Sequence, residues 1–364
     1  MTVFFNSLRI GDLTVRVPII QGGMGVGISL SGLAAAVANQ GGVGVIATAG
    51  IGMHESDFFR DFAEANIRAL RREIQKARAA TEGILGVNIM VALTNFGDLV
   101  RTAIEEGIDI IFSGAGLPLN LPEYRPPDSN TKLVPIVSSA RTAATLCKRW
   151  LMKYNILPDA LVVEGPKAGG HLGFSLEQLT DPDFALEKLV PEVIEAVKPY
   201  RGPEGNRPIP VIAAGGIYDG TDIHKFLKMG AAGVQMGTRF VVTLESDASA
   251  QFKQVYLDSK EEDITIIKSP VGLPGRVIRN PFVDALKRGE KEPFKCPYHC
   301  IITCDYQTAP YCIAHALMNA KKGNLKHGFP FAGSNAFRTS EIVSVKELMD
   351  TLTEEYRVAS EGDD

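Results

Sequence analysis

The sequence predicts an α/β protein built as a (β/α)8 TIM barrel with an irregular C-terminal helical extension. Three observations predict it. Eight short, β-branched runs each end at a Gly-rich or polar turn. Helix-period segments separate most of them, and continuous apolar strands alternating with amphipathic helices imply a parallel sheet. The eight units occupy about 250 residues, the usual span of such a barrel. A doubly wound open sheet is the main rival on strand number alone.

The strand-like runs are 17–20, 43–47, 84–90, 109–112, 133–137, 161–163, 210–214 and 233–236. Helical periodicity covers 30–40, 56–80, 97–106, 141–154, 183–197 and 219–229. One unit is irregular: 117–132 carries Pro118, Pro122, Pro126 and Pro127 and reads as a loop. A last barrel helix is expected at 247–258, so the barrel is assigned to 1–280 and the extension to 281–364.

Composition narrows the partners. The chain has 364 residues, 45% of them apolar, enough for a large core. A net charge of −4 without a basic block argues against nucleic acid. No leader pattern or bilayer-length apolar run is visible, so a soluble, cytoplasmic protein without a membrane partner is expected. Five cysteines in a chain this size do not suggest a disulfide framework.

Active sites of such barrels lie at the C-terminal ends of the strands, where every glycine cluster falls. Close approach of a large flat ligand explains Gly-Gly-Met, Ser-Gly-Ala-Gly, Gly-Gly-His-x-Gly and Ala-Gly-Gly together. The loops after strands seven and eight are the recurrent phosphate site. There, Gly215, Gly216 and Gly237 can turn N–H groups to a phosphate, and Thr238 adds a hydroxyl. His171 sits between Gly169-Gly170 and Gly173, directly after the sixth strand. The residues alone thus predict a phosphate-bearing ligand at the barrel mouth with one histidine beside it.

Five segments carry a family resemblance: Pro18-Ile-Ile-Gln-Gly-Gly-Met24, Gly86-Val-Asn88, Ala168-Gly-Gly-His-Leu-Gly173, Ile212-Ala-Ala-Gly-Gly-Ile217 and Val234-Gln-Met-Gly-Thr-Arg-Phe240. In this order and spacing, over roughly 15–280, the chain resembles the nitronate monooxygenase (2-nitropropane dioxygenase) family. That family includes FMN-dependent enoyl-ACP reductases and some NAD(P)H:quinone reductases. The resemblance implies an FMN-containing oxidoreductase. Gln21, Gly22, Gly23 and Met24 would lie near the flavin ring. Asn88 and Glu164 would contact the ring or ribityl chain, and Gly169 would pack close to it. Gly215, Gly216, Gln235, Met236, Gly237 and Thr238 would hold the phosphate. His171 matches the family's active-site histidine. The implied reaction is oxidation of alkyl nitronates with O2. The alternative is an NAD(P)H-dependent enoyl-ACP or quinone reductase, with NAD(P)H as co-substrate. A phosphate-binding barrel without flavin is a third reading. Partners are then a small-molecule substrate and O2, and a homodimer fits this class. Where family members often carry Glu, this chain has Lys167, read as a solvated lysine ahead of an anion-binding one.

Four of the five cysteines fall within 17 residues, as Cys296, Cys300, Cys304 and Cys312. If helical, the first three share one face. A metal or Fe–S site competes with reduced cysteines packed as small apolar groups. The spacing matches neither the C-x2-C zinc pattern nor the ferredoxin run. Packed thiols are therefore the preferred reading, and no metal site is assigned. Helical periodicity returns at 314–320 and 343–356.

Overall fold

The computed structural model describes residues 5–201, 208–290 and 292–362. The chain opens with a hairpin of β1 (Leu8–Ile10) and β2 (Leu13–Val15), turned at Gly11. Parallel strands follow: β3 (Ile19–Gln21), β4 (Gly44–Ala47), β5 (Leu85–Met90), β6 (Ile110–Gly114), β7 (Lys132–Val137) and β8 (Leu161–Glu164). After the two-residue β9 (Gly170–His171) come β10 (Val211–Ala214) and β11 (Gly233–Met236). The sheet order is β3-β11-β10-β8-β7-β6-β5-β4, and a parallel bridge from Ile20 to Val43 joins its two ends. All eight expected strands are present, and closure rules out the open doubly wound sheet.

Alternation along each strand divides the core. Ile20, Val45, Phe112, Val134, Val162 and Ile212 fill the barrel, with Leu8, Ile10 and Val15 of the hairpin closing one end. Ile19, Val163, Ala213 and Val234 face outward against the helices. Those helices are α1 (Ser31–Asn39), α2 (Phe62–Ala80), α3 (Phe96–Glu105), α4 (Ala140–Tyr154), α5 (Leu186–Val197) and α6 (Gly220–Lys228).

Two starts differ from expectation. Residues 56–60 form turns, and α2 begins only where the Asp61 side chain caps it by accepting the Glu64 N–H. Before α5, Pro182–Phe184 makes a 3-10 turn. The Pro-rich segment contains one 3-10 turn, Leu121–Tyr124. It is pinned by the fully buried Trp150 of α4, whose Nε1 donates to the Pro118 carbonyl at 3.1 Å.

Past β11 come α7 (Thr238–Val241) and α8 (Ala250–Asp258), then an antiparallel pair, β12 (Ile264–Lys268) and β13 (Pro274–Ile278). β13 also pairs with β9, register Gly275 to His171. The extension adds α9 (Pro281–Lys287), α10 (Ile313–Lys321) and α11 (Val345–Glu361). α11 buries Val345, Leu348, Met349 and Leu352 in the same core as α1 and α6. The conditional helix through Cys296, Cys300 and Cys304 does not form. Pro297 follows Cys296, and His299 takes a left-handed φ of 46° that no helix tolerates.

Candidate functional site

The C-terminal ends of the barrel strands open into a cavity of about 540 Å³, within the size range of small-molecule sites. Gly22, Gly23, Met24, Asn88, Glu164 and Gly169 line it, as do His171, Gly215, Gly216, Gln235, Met236, Gly237 and Thr238. Gln21 does not. It is fully buried at the end of β3, its Nε2 donating to the Gly22 carbonyl and its Oε1 accepting the Val45 N–H at 2.9 Å. Gln21 thus braces the wall from behind.

The glycines serve two ends. A Cβ on Gly23 would stand 2.3 Å from Asn88 Cβ, and one on Gly169 would stand 2.6 Å from the Ala332 carbonyl carbon. These glycines admit the protein's own chain. Gly215 and Gly216 adopt φ of 99° and 83°, so the loop after β10 takes a path that L side chains resist. The exposed Lys167 lays its stem over Gly216 and does not line the cavity.

His171 is placed by strands outside the barrel. β9 carries it and is held by β13. Its Nε2 lies 2.8 Å from Oγ of the buried Ser269, in the turn joining β12 and β13. The Phe331 ring packs against it edge-on at 4.9 Å. Arg276, also buried, donates from Nη1 to the carbonyls of Pro166 and Ala168 at 2.6 Å each, fixing the loop that leads to His171.

Electrostatics follow from burial. Loss of hydration pulls His171 down to about 4, so the ring is neutral at pH 7. The same effect, with no countering hydrogen bond, pushes Glu164 up to about 7. No Lys or Arg is among the described residues lining the cavity.

The extension completes the site in a way the motifs do not announce. Phe331, Ala332, Gly333, Ser334 and Asn335 all line the cavity. The Gly333 N–H donates to Thr238 Oγ1 at 3.0 Å, and Asn335 Nδ2 donates to the Gly216 carbonyl at 2.7 Å. The buried Ser334 Oγ and Asn95 Nδ2 have no protein partner, although both residues face the cavity. A Gly-Ser-Asn turn after an apolar stretch is the one sequence signal for this segment.

Two unpartnered donors, a polar loop after β10 and β11 and an otherwise mostly apolar wall fit a flat, phosphate-bearing ligand such as FMN.

Comparison with known proteins agrees with this architecture. The nitronate monooxygenase family model matches residues 6–355, well into the extension. A dehydrogenase of Mycobacterium tuberculosis, named for a hydroxy-methyl-oxo-octahydro-indene carboxyl-CoA substrate, is 31% identical over 75% of this chain and 66% of its own length. A probable nitronate monooxygenase of Staphylococcus aureus is 29% identical over 76% of this chain and 79% of its own. FabK from Thermotoga maritima superposes with a TM-score of 0.73 at 30% identity, covering 95% of this chain and 94% of that one. Nitroalkane oxidase from Streptomyces ansochromogenes shares the fold, with a TM-score of 0.72 at 22% identity over 96% and 98% of the two chains. The chain belongs to the nitronate monooxygenase family of flavin-dependent oxidoreductases.

Proposed function

We propose that this chain is an FMN-dependent monooxygenase that oxidises alkyl nitronates with O2. The observation that carries the reading is His171, a half-buried neutral imidazole on the wall of a mostly apolar cavity beside the β10 and β11 loops. Gly215, Gly216, Gly237 and Thr238 would hold the FMN phosphate. Asn88, Glu164, Asn95 and Ser334 would meet its polar edge or ribityl chain. FMN, when bound, supplies the electron acceptor for the organic substrate.

The chain's own residues orient and exclude. Apolar side chains such as Met90, Leu273, Ile301 and Phe331 suit an alkyl group and keep water away. A nitronate brings its own negative charge, and the described cavity wall offers no Lys or Arg to meet it. His171 is the group that can answer, either by donating an N–H or by taking up a proton as the anion enters. Ser269 holds the ring for that contact through Nε2.

A second reading is NAD(P)H-dependent reduction of an enoyl thioester. It is favoured by FabK, similar over nearly the whole chain, and by the relative named for a carboxyl-CoA substrate. Oxygen uptake separates the two. The monooxygenase consumes O2 on addition of an alkyl nitronate without NAD(P)H. No uptake with nitronate, together with enoyl-dependent oxidation of NAD(P)H, would assign the reductase.

A further inference from the structure

The extension brings together four thiols that the reaction above does not use. Cys296, Cys300 and Cys304 lie on the irregular loop between α9 and α10, and Cys312 is the N-cap of α10. All are free, with no disulfide among them. They nonetheless converge. Each of the six pairs is close enough for the charge of one thiolate to be felt at the other sulfur.

The loop is built to hold them there. Its ends meet where the Glu292 N–H donates to the Pro310 carbonyl at 3.0 Å. Its middle is fastened to the loop after β5, Thr94 N–H to the Cys300 carbonyl at 3.2 Å and Ile302 N–H to the Ala92 carbonyl at 2.8 Å. The left-handed His299 turns the chain between the first two cysteines. So long an irregular segment in a compact protein calls for a function or a staple.

A separate feature points to a ligand. Tyr298 is 3% exposed, and its hydroxyl has no hydrogen-bond partner. That hydroxyl lies within electrostatic reach of Cys312, Cys296 and Cys300. A sulfur-rich acceptor among the thiols would satisfy it. Among the described residues no three His, Cys, Asp or Glu side chains close around one metal, as thiolates bonded to one zinc at about 2.3 Å must. A cluster of several irons is spanned by more widely set thiolates.

We propose that Cys296, Cys300, Cys304 and Cys312 are the four ligands of an iron–sulfur cluster, a second centre that the extension places beside the flavin cavity. Cys300 and Tyr298 line that cavity as well as the cluster site, so the two centres share a wall. Burial raises the Cys312 thiol, and the N-terminal amides of the nine-residue α10, from His315 and Ala314, offset part of that rise. Each cysteine gives up its thiol proton on ligation, and no bond in the chain is broken. This assignment stands whether the reaction is oxidation or reduction.

The test is metal analysis of the full chain, produced in iron-supplemented cells and purified without oxygen, with flavin measured in the same sample. The expected result is iron and acid-labile sulfide in equal amounts, with a paramagnetic resonance signal after dithionite reduction. Cys304→Ser and Cys312→Ser should each lower iron about tenfold or more while flavin content is kept. Cys147→Ala, in the distant α4, should keep its iron. Zinc in place of iron, or wild-type protein with neither metal, would overturn the proposal even if the variants failed to fold.

Discussion

Nε2 of His171 lies 2.8 Å from Oγ of Ser269, across 98 residues of sequence. The contact makes the β12–β13 turn part of the site. Ser269→Ala should lower kcat about tenfold, since a correctly held acid–base group contributes on the order of 10²–10⁴. It should change KM less, and Ser269→Thr should restore much of the rate. His171→Ala should lose on the order of 10²-fold or more. The double variant should be no worse than His171→Ala alone, because the two groups act as one unit. Steady-state kinetics of the four proteins checks this, and additive losses would separate Ser269 from His171.

Burial also sets which form of the substrate is used. An imidazole held down at about 4 is a poor base toward a carbon acid. The preformed nitronate should therefore exceed the neutral nitroalkane in kcat/KM by about 100-fold or more. The titration of His171 in that profile should appear near pH 4, apart from that of Glu164 near 7. Comparable rates for both substrate forms would contradict a His171 held neutral by loss of hydration.

Glu164 and His171 pull stability in opposite directions with pH. Glu164 has its folded pKa raised, so its contribution is intact below about pH 4.5 and is lost as pH rises through about 7. His171 has its folded pKa lowered, so its contribution is intact above about 6.5 and is lost as pH falls through about 4. Flavin-free Glu164→Gln should accordingly gain up to roughly 3 kcal/mol over wild type at pH 8 and little at pH 4. Denaturant melts at the two pH values measure it, and an equal gain at both would mean the carboxylate is hydrated.

Ser334 tests the ligand side of the same cavity. Its hydroxyl is buried without a partner. Removing an unsatisfied group costs the protein little, whereas removing one that bonds a ligand loses about 1 kcal/mol or more. Ser334→Ala should leave the thermal midpoint of the flavin-free protein unchanged or slightly raised. It should weaken FMN binding about fivefold to tenfold in a fluorescence titration. An unchanged FMN affinity would place this hydroxyl outside the cofactor site.

The barrel was legible because its signals are local. Each strand is an apolar run closed by glycine, and each helix follows with a 3.6-residue period. The polar loop after β10 and β11 was legible for the same reason. What the motifs did not reveal depends on contacts between distant segments. Ser334 and Asn335 reach the cavity only because the chain after α10 runs along β13, where Val277 bridges to Phe331. Gln21 shares a motif with Gly22, yet strand alternation turns it into the wall. Gly169 reads as a close approach to a ligand, but the neighbour its missing Cβ admits is the backbone of 332–333. A helix through Cys296, Cys300 and Cys304 would set them on one face, but the left-handed His299 breaks any such helix.

The most direct measurement is the absorbance of the FMN-loaded protein, mixed without oxygen first with an alkyl nitronate and separately with NADH or NADPH. The proposed reaction requires rapid loss of oxidised flavin with nitronate, little change with either nicotinamide, and at least a tenfold slower change in His171→Ala. Fast bleaching by NADH or NADPH with none by nitronate would contradict it and assign the cavity to reduction of an acceptor such as an enoyl thioester.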